Sequence, residues 1–169
     1  PRVQDLAAAD RDDVLKEWAG LGYYARARNL HACANKVVDE FGGTFPTNAE
    51  ALQTLPGIGP YTSAAIAAIC FDEQVAVVDG NVDRVAARFT ALAEPVREAK
   101  PFIRSFIQQS VPKRAGDFAQ SLMDLGATIC APKRANCLIC PISKNCLGTK
   151  TSDPTNFPVM PPKKQKPIR

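Results

Sequence analysis

No apolar run in this 169-residue sequence is long enough to span a bilayer, which excludes a membrane-crossing helix. Nothing ahead of the first predicted helix has the pattern of a secretory leader, so a disulfide framework is not expected. Nowhere do apolar and polar residues alternate with a period of two, which argues against a sheet and for an all-α fold. Acidic residues are missing from 154 onward. Residues 1–96 carry 8 Lys/Arg and 13 Asp/Glu, net −5; residues 97–153 carry 9 and 4, net +5; residues 154–169 carry 4 and none, net +4. A chain whose basic charge gathers at one end suits a polyanionic partner.

What is present is helical periodicity. A short helix is expected over 3–9 and another from Asp10 to Ala19, with Asp10 and Asp13 spaced like a capping box. A third, about 23–41, places Ala27, Leu30, Ala34, Val37 and Phe41 on one face and ends at Gly42-Gly43. Thr47 and Glu50 read as a second capping box. Later helices are expected at 60–70, after Asp79, at 97–110 and at 114–129. Val75 to Val78 reads as a buried extended connection. From Gly148 the prolines and lysines predict an extended linker over 148–169.

The stretch Leu55 to Val85 organises the rest. Pro56, Gly57 and Gly59 break the chain, and a helix opens at Pro60, where a missing N–H costs nothing. Amides at such a hairpin and helix start, here at Gly57, Ile58 and Gly59, form a site for one phosphate. Asp79-Gly80-Asn81 then puts a carboxylate at the next helix start, where an N-cap alone is worth about 1 kcal/mol.

Cys130, Cys137, Cys140 and Cys146 have the spacing C-x6-C-x2-C-x5-C. Four thiolates in that pattern fit structural zinc or a 4Fe–4S cluster. Lys133, Arg134 and Lys144 lie among them, making the loop a basic surface. Cys33 and Cys70 are expected to be buried core thiols. In the segment Gly22 to Arg28, Tyr23 and Tyr24 alternate with Arg26 and Arg28, and composition favours core-facing tyrosines.

GLGYYARARNL, LPGIGPYT, VDGNVDRV, MDLGATIC and the cysteine spacing, in that order, resemble the helix-hairpin-helix DNA glycosylase superfamily, and within it the branch that removes adenine opposite 8-oxoguanine. The resemblance implies a helical glycosylase core over 1–129 with the helix-hairpin-helix at about 48–70. An iron–sulfur loop would follow at 130–147. It implies one 4Fe–4S cluster on the four cysteines, and a monomer whose partner is double-stranded DNA carrying an A:8-oxoguanine or A:G mismatch. It also implies an intracellular protein: cytoplasm or nucleoid in a bacterium, nucleus or mitochondrion in a eukaryote. Asp79 would stabilise the sugar cation as adenine leaves, with Asn81 and Tyr61 lining the same pocket. Tyr24, Arg26, Lys133, Arg134, Lys144 and the hairpin residues Gly57, Ile58 and Gly59 would face DNA.

The sister enzymes that cut the strand carry a lysine just after the hairpin. Here Tyr61 stands at that position, so hydrolysis without an amine adduct is expected. The family's general-acid glutamate lies in a helix that would precede Pro1, and Glu17, Glu40 and Glu50 do not match it. The family's Nudix-like C-terminal domain is also missing, so the chain reads as an internal fragment. The alternatives are an endonuclease III-like or mismatch-thymine glycosylase, and a non-catalytic iron–sulfur DNA-binding module.

Overall fold

The computed structural model describes residues 2–159, and among these no strand occurs; the basic residues of the 160–169 tail lie outside them. The chain divides into two compact units, residues 1–73 and 74–169. The division falls at Glu73–Gln74, where α5 has ended and an extended connection begins.

In the first unit, α1 (Val3–Ala7) and α2 (Arg11–Glu17) both pack on α3 (Ala25–Phe41). Asp10 caps α2 by accepting from the Asp12 amide at 2.8 Å. Ala27, Cys33, Ala34 and Val37 are the buried stripe of α3, whereas Leu30, expected beside them, is exposed. It borders a shallow depression with Leu6, Val14 and Trp18. The helix ends on Gly42 in the left-handed conformation. The helix α4 (Ala49–Gln53) starts from Asn48, whose side chain accepts from Ala51 N at 2.8 Å, so the cap is one residue later than the expected Thr47. Glu73, at the far end of the unit, accepts from Ala49 N at 2.6 Å and covers the same helix start. α5 (Pro60–Phe71) buries Ser63, Ala64, Ala67 and Ala68, small residues that let it lie close to α4. Cys33 is buried as expected; Cys70 is exposed, because the buried face of α5 is the alanine face.

In the second unit, Ala76 and Val77 are buried in extended backbone, and Gln108 anchors Ala76 N at 2.8 Å. The central element is α6 (Gly80–Phe89), which contacts α7 (Val96–Ser110) and α8 (Ala115–Asp124). Val82, Ala86, Ile103 and Ile107 form the core, with Phe106, Phe118 and Leu122 against it. α8 runs into a π-helical turn at Leu125–Ile129, closed by Cys130 N donating to Leu125 O at 2.7 Å. Short 3-10 turns follow at Cys137–Ile139, Ser143–Asn145, Leu147–Lys150 and Pro154–Asn156. As far as Phe157, then, the segment expected as an extended linker is folded and bonded to α6, because its prolines favour tight turns and its carbonyls meet a buried arginine.

Candidate active site and cysteine loop

The hairpin belongs to the first unit. Ile58 N donates to Leu55 O at 3.1 Å, closing the turn. Gly57 has φ +78°, and a Cβ there would lie 2.7 Å from Cβ of Asn29, so both conformation and space demand glycine. Gly59 caps α5 in extended backbone at φ −87° and faces open space. The first amides of a helix lack partners within it and favour an anion. Tyr61 is the second residue of α5 and is 44% exposed.

The Gly20 to Arg28 segment departs from its composition. Neither tyrosine is buried: Tyr24 is 44% exposed and Tyr23 is 84% exposed. Tyr23 also holds φ +48°, a region that costs a bulky side chain of order 1–3 kcal/mol. Arg26 stacks against two rings, 5.3 Å from the Trp18 centroid and 5.6 Å from that of Tyr23, and donates to Leu21 O at 3.3 Å. The strained, exposed Tyr23 is a candidate that periodicity does not single out; its signal is the flanking Gly20 and Gly22, both at positive φ.

In the second unit Asp79 is the N-cap of α6. Its Oδ1 accepts from Asn81 N and Val82 N, both at 2.8 Å, and its Oδ2 accepts from Asn81 Nδ2 at 3.0 Å. Two backbone amides and one side-chain amide thus fix the carboxylate in place. Arg84 extends the network: its guanidinium donates to Asn81 Oδ1 at 2.8 Å, Gly126 O at 2.6 Å and Cys130 O at 2.9 Å. Asp83, one helical turn after Asp79, is buried; one oxygen meets Lys100 at 3.5 Å and the other has no partner among the described residues. Burial pushes its carboxyl up, opposed by Lys100 and reinforced by Asp79.

The four loop cysteines converge. Cys130, Cys137, Cys140 and Cys146 line one small cavity, with Val85, Phe89, Leu125 and Ile142 as its apolar wall. Burial pushes the Cys137 thiol up, and the charges of Cys146, Cys130 and Cys140 push it further. Among the described residues no group of three or more His, Cys, Asp or Glu is set to hold a metal ion, and by their chemistry four thiols lining one cavity suit either zinc or a 4Fe–4S cluster. Lys133, Arg134 and Lys144 are exposed on this loop. Arg84 and Arg88, which sequence reading missed, tie α6 to it. Their signal is two cations four residues apart on a helix whose neighbouring positions are apolar.

A protein-family model described as HhH-GPD superfamily base excision DNA repair protein matches residues 1–108. The chain is 49% identical over 150 residues to adenine DNA glycosylase of Mus musculus, covering 86% of this chain and 29% of that protein. It is 37% identical over 145 residues to adenine DNA glycosylase of Mycobacterium tuberculosis, covering 84% and 48%. It therefore spans less than half the length of these relatives. The solved structure of a thermostable thymine-DNA glycosylase superposes with a TM-score of 0.78 at 31% identity, covering 88% of this chain and 70% of that one. A non-covalent endonuclease III–DNA complex shares the fold, with a TM-score of 0.70 at 23% identity over the same shares.

Proposed function

The chain belongs to the HhH-GPD superfamily of base excision DNA repair proteins, and on that premise we propose that it carries the excision centre of a monofunctional adenine DNA glycosylase. The reaction is hydrolysis of the N-glycosidic bond of adenine opposite 8-oxoguanine or guanine in duplex DNA. The observation that carries this reading is the Asp79 carboxylate, clamped at a helix start by three donors. As the bond to adenine breaks, positive charge develops on the sugar, and a carboxylate already in place stabilises it without reorganising. Water then adds to the sugar carbon, and the departing base takes up a proton. Asn81 fixes the carboxylate from one side and is itself fixed by Arg84. Tyr61 has no amine with which to capture the sugar. The base must first leave the duplex, at a cost of a few kcal/mol. The hairpin at Gly57, Ile58 and Gly59 would hold a phosphate, and Tyr23, Tyr24 and Arg26 would supply stacking surface. Lys133, Arg134 and Lys144 would add phosphate contacts.

The cysteine cavity fits a 4Fe–4S cluster held by Cys130, Cys137, Cys140 and Cys146. When bound, such a cluster cross-links its four ligands and can carry one electron. The deciding assay is base release by the full-length protein from duplexes holding A opposite 8-oxoguanine, A opposite G, or T opposite G. Adenine released from the first two, without strand cleavage, is the expected result. The likeness to a thymine-DNA glycosylase structure makes thymine release the alternative outcome, and it would overturn the adenine assignment.

A further inference from the structure

Arg88 lies on the last turn of α6 and is 2% exposed. Its Nε donates to Phe157 O at 2.9 Å. One terminal nitrogen donates to Ala131 O at 2.8 Å, Cys130 O at 3.1 Å and Cys130 Sγ at 3.4 Å, and the other to Pro132 O at 2.9 Å. Its own carbonyl accepts from Cys146 Sγ at 3.5 Å. Among the described residues no ion pair reaches it. A buried cation without a counter-charge is costly, and carbonyl dipoles offset that cost only in part. Two sources can supply negative charge beside it: the four thiols of the same cavity, one of them within hydrogen-bonding distance, and, from the strap itself, the exposed Asp153 carboxylate, which hydrogen bonds from Thr155 and, after them, Arg88 help to hold ionised.

We propose that Arg88 is the buried counter-cation of the four-thiolate site and that it tethers the 147–157 strap to that site, so that loading the site and seating the strap are one event. The inference rests on the cluster reading given above. Both ends of the strap close on this residue. At one end, a Cβ at Gly148 would collide with the Arg88 carbonyl oxygen. At the other, the Phe157 carbonyl takes the Nε proton. With the thiolates bound to metal, the guanidinium is neutralised where it lies. With the metal removed, nothing ties the four sulfurs to one another around the guanidinium, and the contacts that hold the strap to Arg88 lose their fixed frame. Arg88 is a positioning residue; nothing places it against substrate.

The test is hydrogen exchange on the full-length protein, loaded and then stripped with oxidant and chelator, alongside metal and sulfide analysis. The reporters are the Thr151, Asn156 and Phe157 amides, which bond within the strap. Stripping should speed their exchange at least tenfold and leave the amides around Ile103 and Ile107 in α7 protected. Arg88→Lys keeps a charge but loses the fork that reaches several carbonyls at once. It should lose its cluster to oxidant roughly 10- to 100-fold faster, the usual range for a residue that supports metal ligands. It should also show fast strap exchange while still loaded. Unchanged strap exchange after stripping of the parent protein overturns the proposal, whether or not the variant folds. Strap protection and cluster retention equal to the parent in Arg88→Lys overturn it as well. Metal and sulfide analysis separates the two failures: protein without iron and sulfide refutes the cluster reading, whereas a cluster present and a strap indifferent to its removal refutes the Arg88 tether alone.

Discussion

Asp79→Asn is the sharpest probe of the excision centre, and the hydrogen bonds around it set what to expect. Asn and Asp are comparable helix caps, so the Oδ1 position, accepting from Asn81 N and Val82 N, is kept. The Oδ2 position is not. An amide nitrogen there would face Asn81 Nδ2, donor against donor. Turning the Asn81 amide over only moves the conflict, because Arg84 donates to its other end. One unmade hydrogen bond at a partly buried site costs roughly 1–2 kcal/mol, or about 2–8 °C of melting temperature for a domain of this size. That leaves a protein of ordinary stability essentially all folded at assay temperature. Losing the negative charge opposite the developing cation removes roughly 3–4 kcal/mol from the barrier, a rate drop of about two to three decades. The charge acts along the reaction path, so the loss belongs to the chemical step and DNA affinity should stay close to the parent's. Single-turnover adenine release from an A:8-oxoguanine duplex, with a melting curve and a binding isotherm on the same sample, separates these effects. Excision within a few-fold of the parent by a variant that melts slightly lower would show Asp79 to be a helix cap and nothing more.

Binding to duplex should weaken with salt at a log–log slope of about −3 to −5, and Lys133→Ala with Arg134→Ala should flatten it by roughly one to two units; an unchanged slope would turn the cysteine loop away from DNA. Borohydride should trap no covalent adduct with the parent, since Tyr61 cannot form an imine, and efficient trapping would refute the monofunctional reading. Iron and sulfide should co-purify under anaerobic conditions, and stoichiometric zinc without sulfide would exclude the cluster. Asp83 binds its proton more tightly folded than unfolded, so its contribution is present at low pH and lost as pH rises through its raised value. Asp83→Asn should therefore raise the melting temperature at neutral pH and flatten its fall with pH, and a variant that melts lower at neutral pH would show the Lys100 pairing to dominate.

Local chemistry made much of this molecule readable from its sequence. Asp10, Asp79 and Pro60 stand where caps and first-turn residues belong, and each starts its helix there. The failures are of another kind. Leu30 and Cys70 sit on helices whose buried faces are set by small residues, so hydrophobicity alone misplaced them. Composition alone favoured Tyr23 and Tyr24 as core, against the resemblance, which turned Tyr24 toward DNA; both are exposed, in a segment with positive-φ glycines at 20 and 22. Asn48 took the cap from Thr47 because Asn accepts as well as Thr and stands one residue closer to the helix. Arg84 and Arg88 were missed because most of their partners lie 42 to 69 residues away in sequence, at Gly126, Cys130 to Pro132 and Phe157. The four cysteines were found by spacing, and the structure brings all four to the lining of one cavity.

The π-helical turn at Leu125–Ile129 acts as a phase shifter. Each α-helical residue advances the chain by about 100°, and the wider turn absorbs an extra residue without disturbing the core face of α8 ahead of it. Its output is the azimuth at which Cys130 leaves the helix to line one cavity with the other three cysteines. Substitutions within 127–129 keep that angle, whereas a Cβ at Gly126 would lie 2.7 Å from Cβ of Asn81. A single-residue deletion there would leave every core contact of α8 in register and rotate Cys130 by about a quarter turn, so this helix end tolerates changes of letter far better than changes of length.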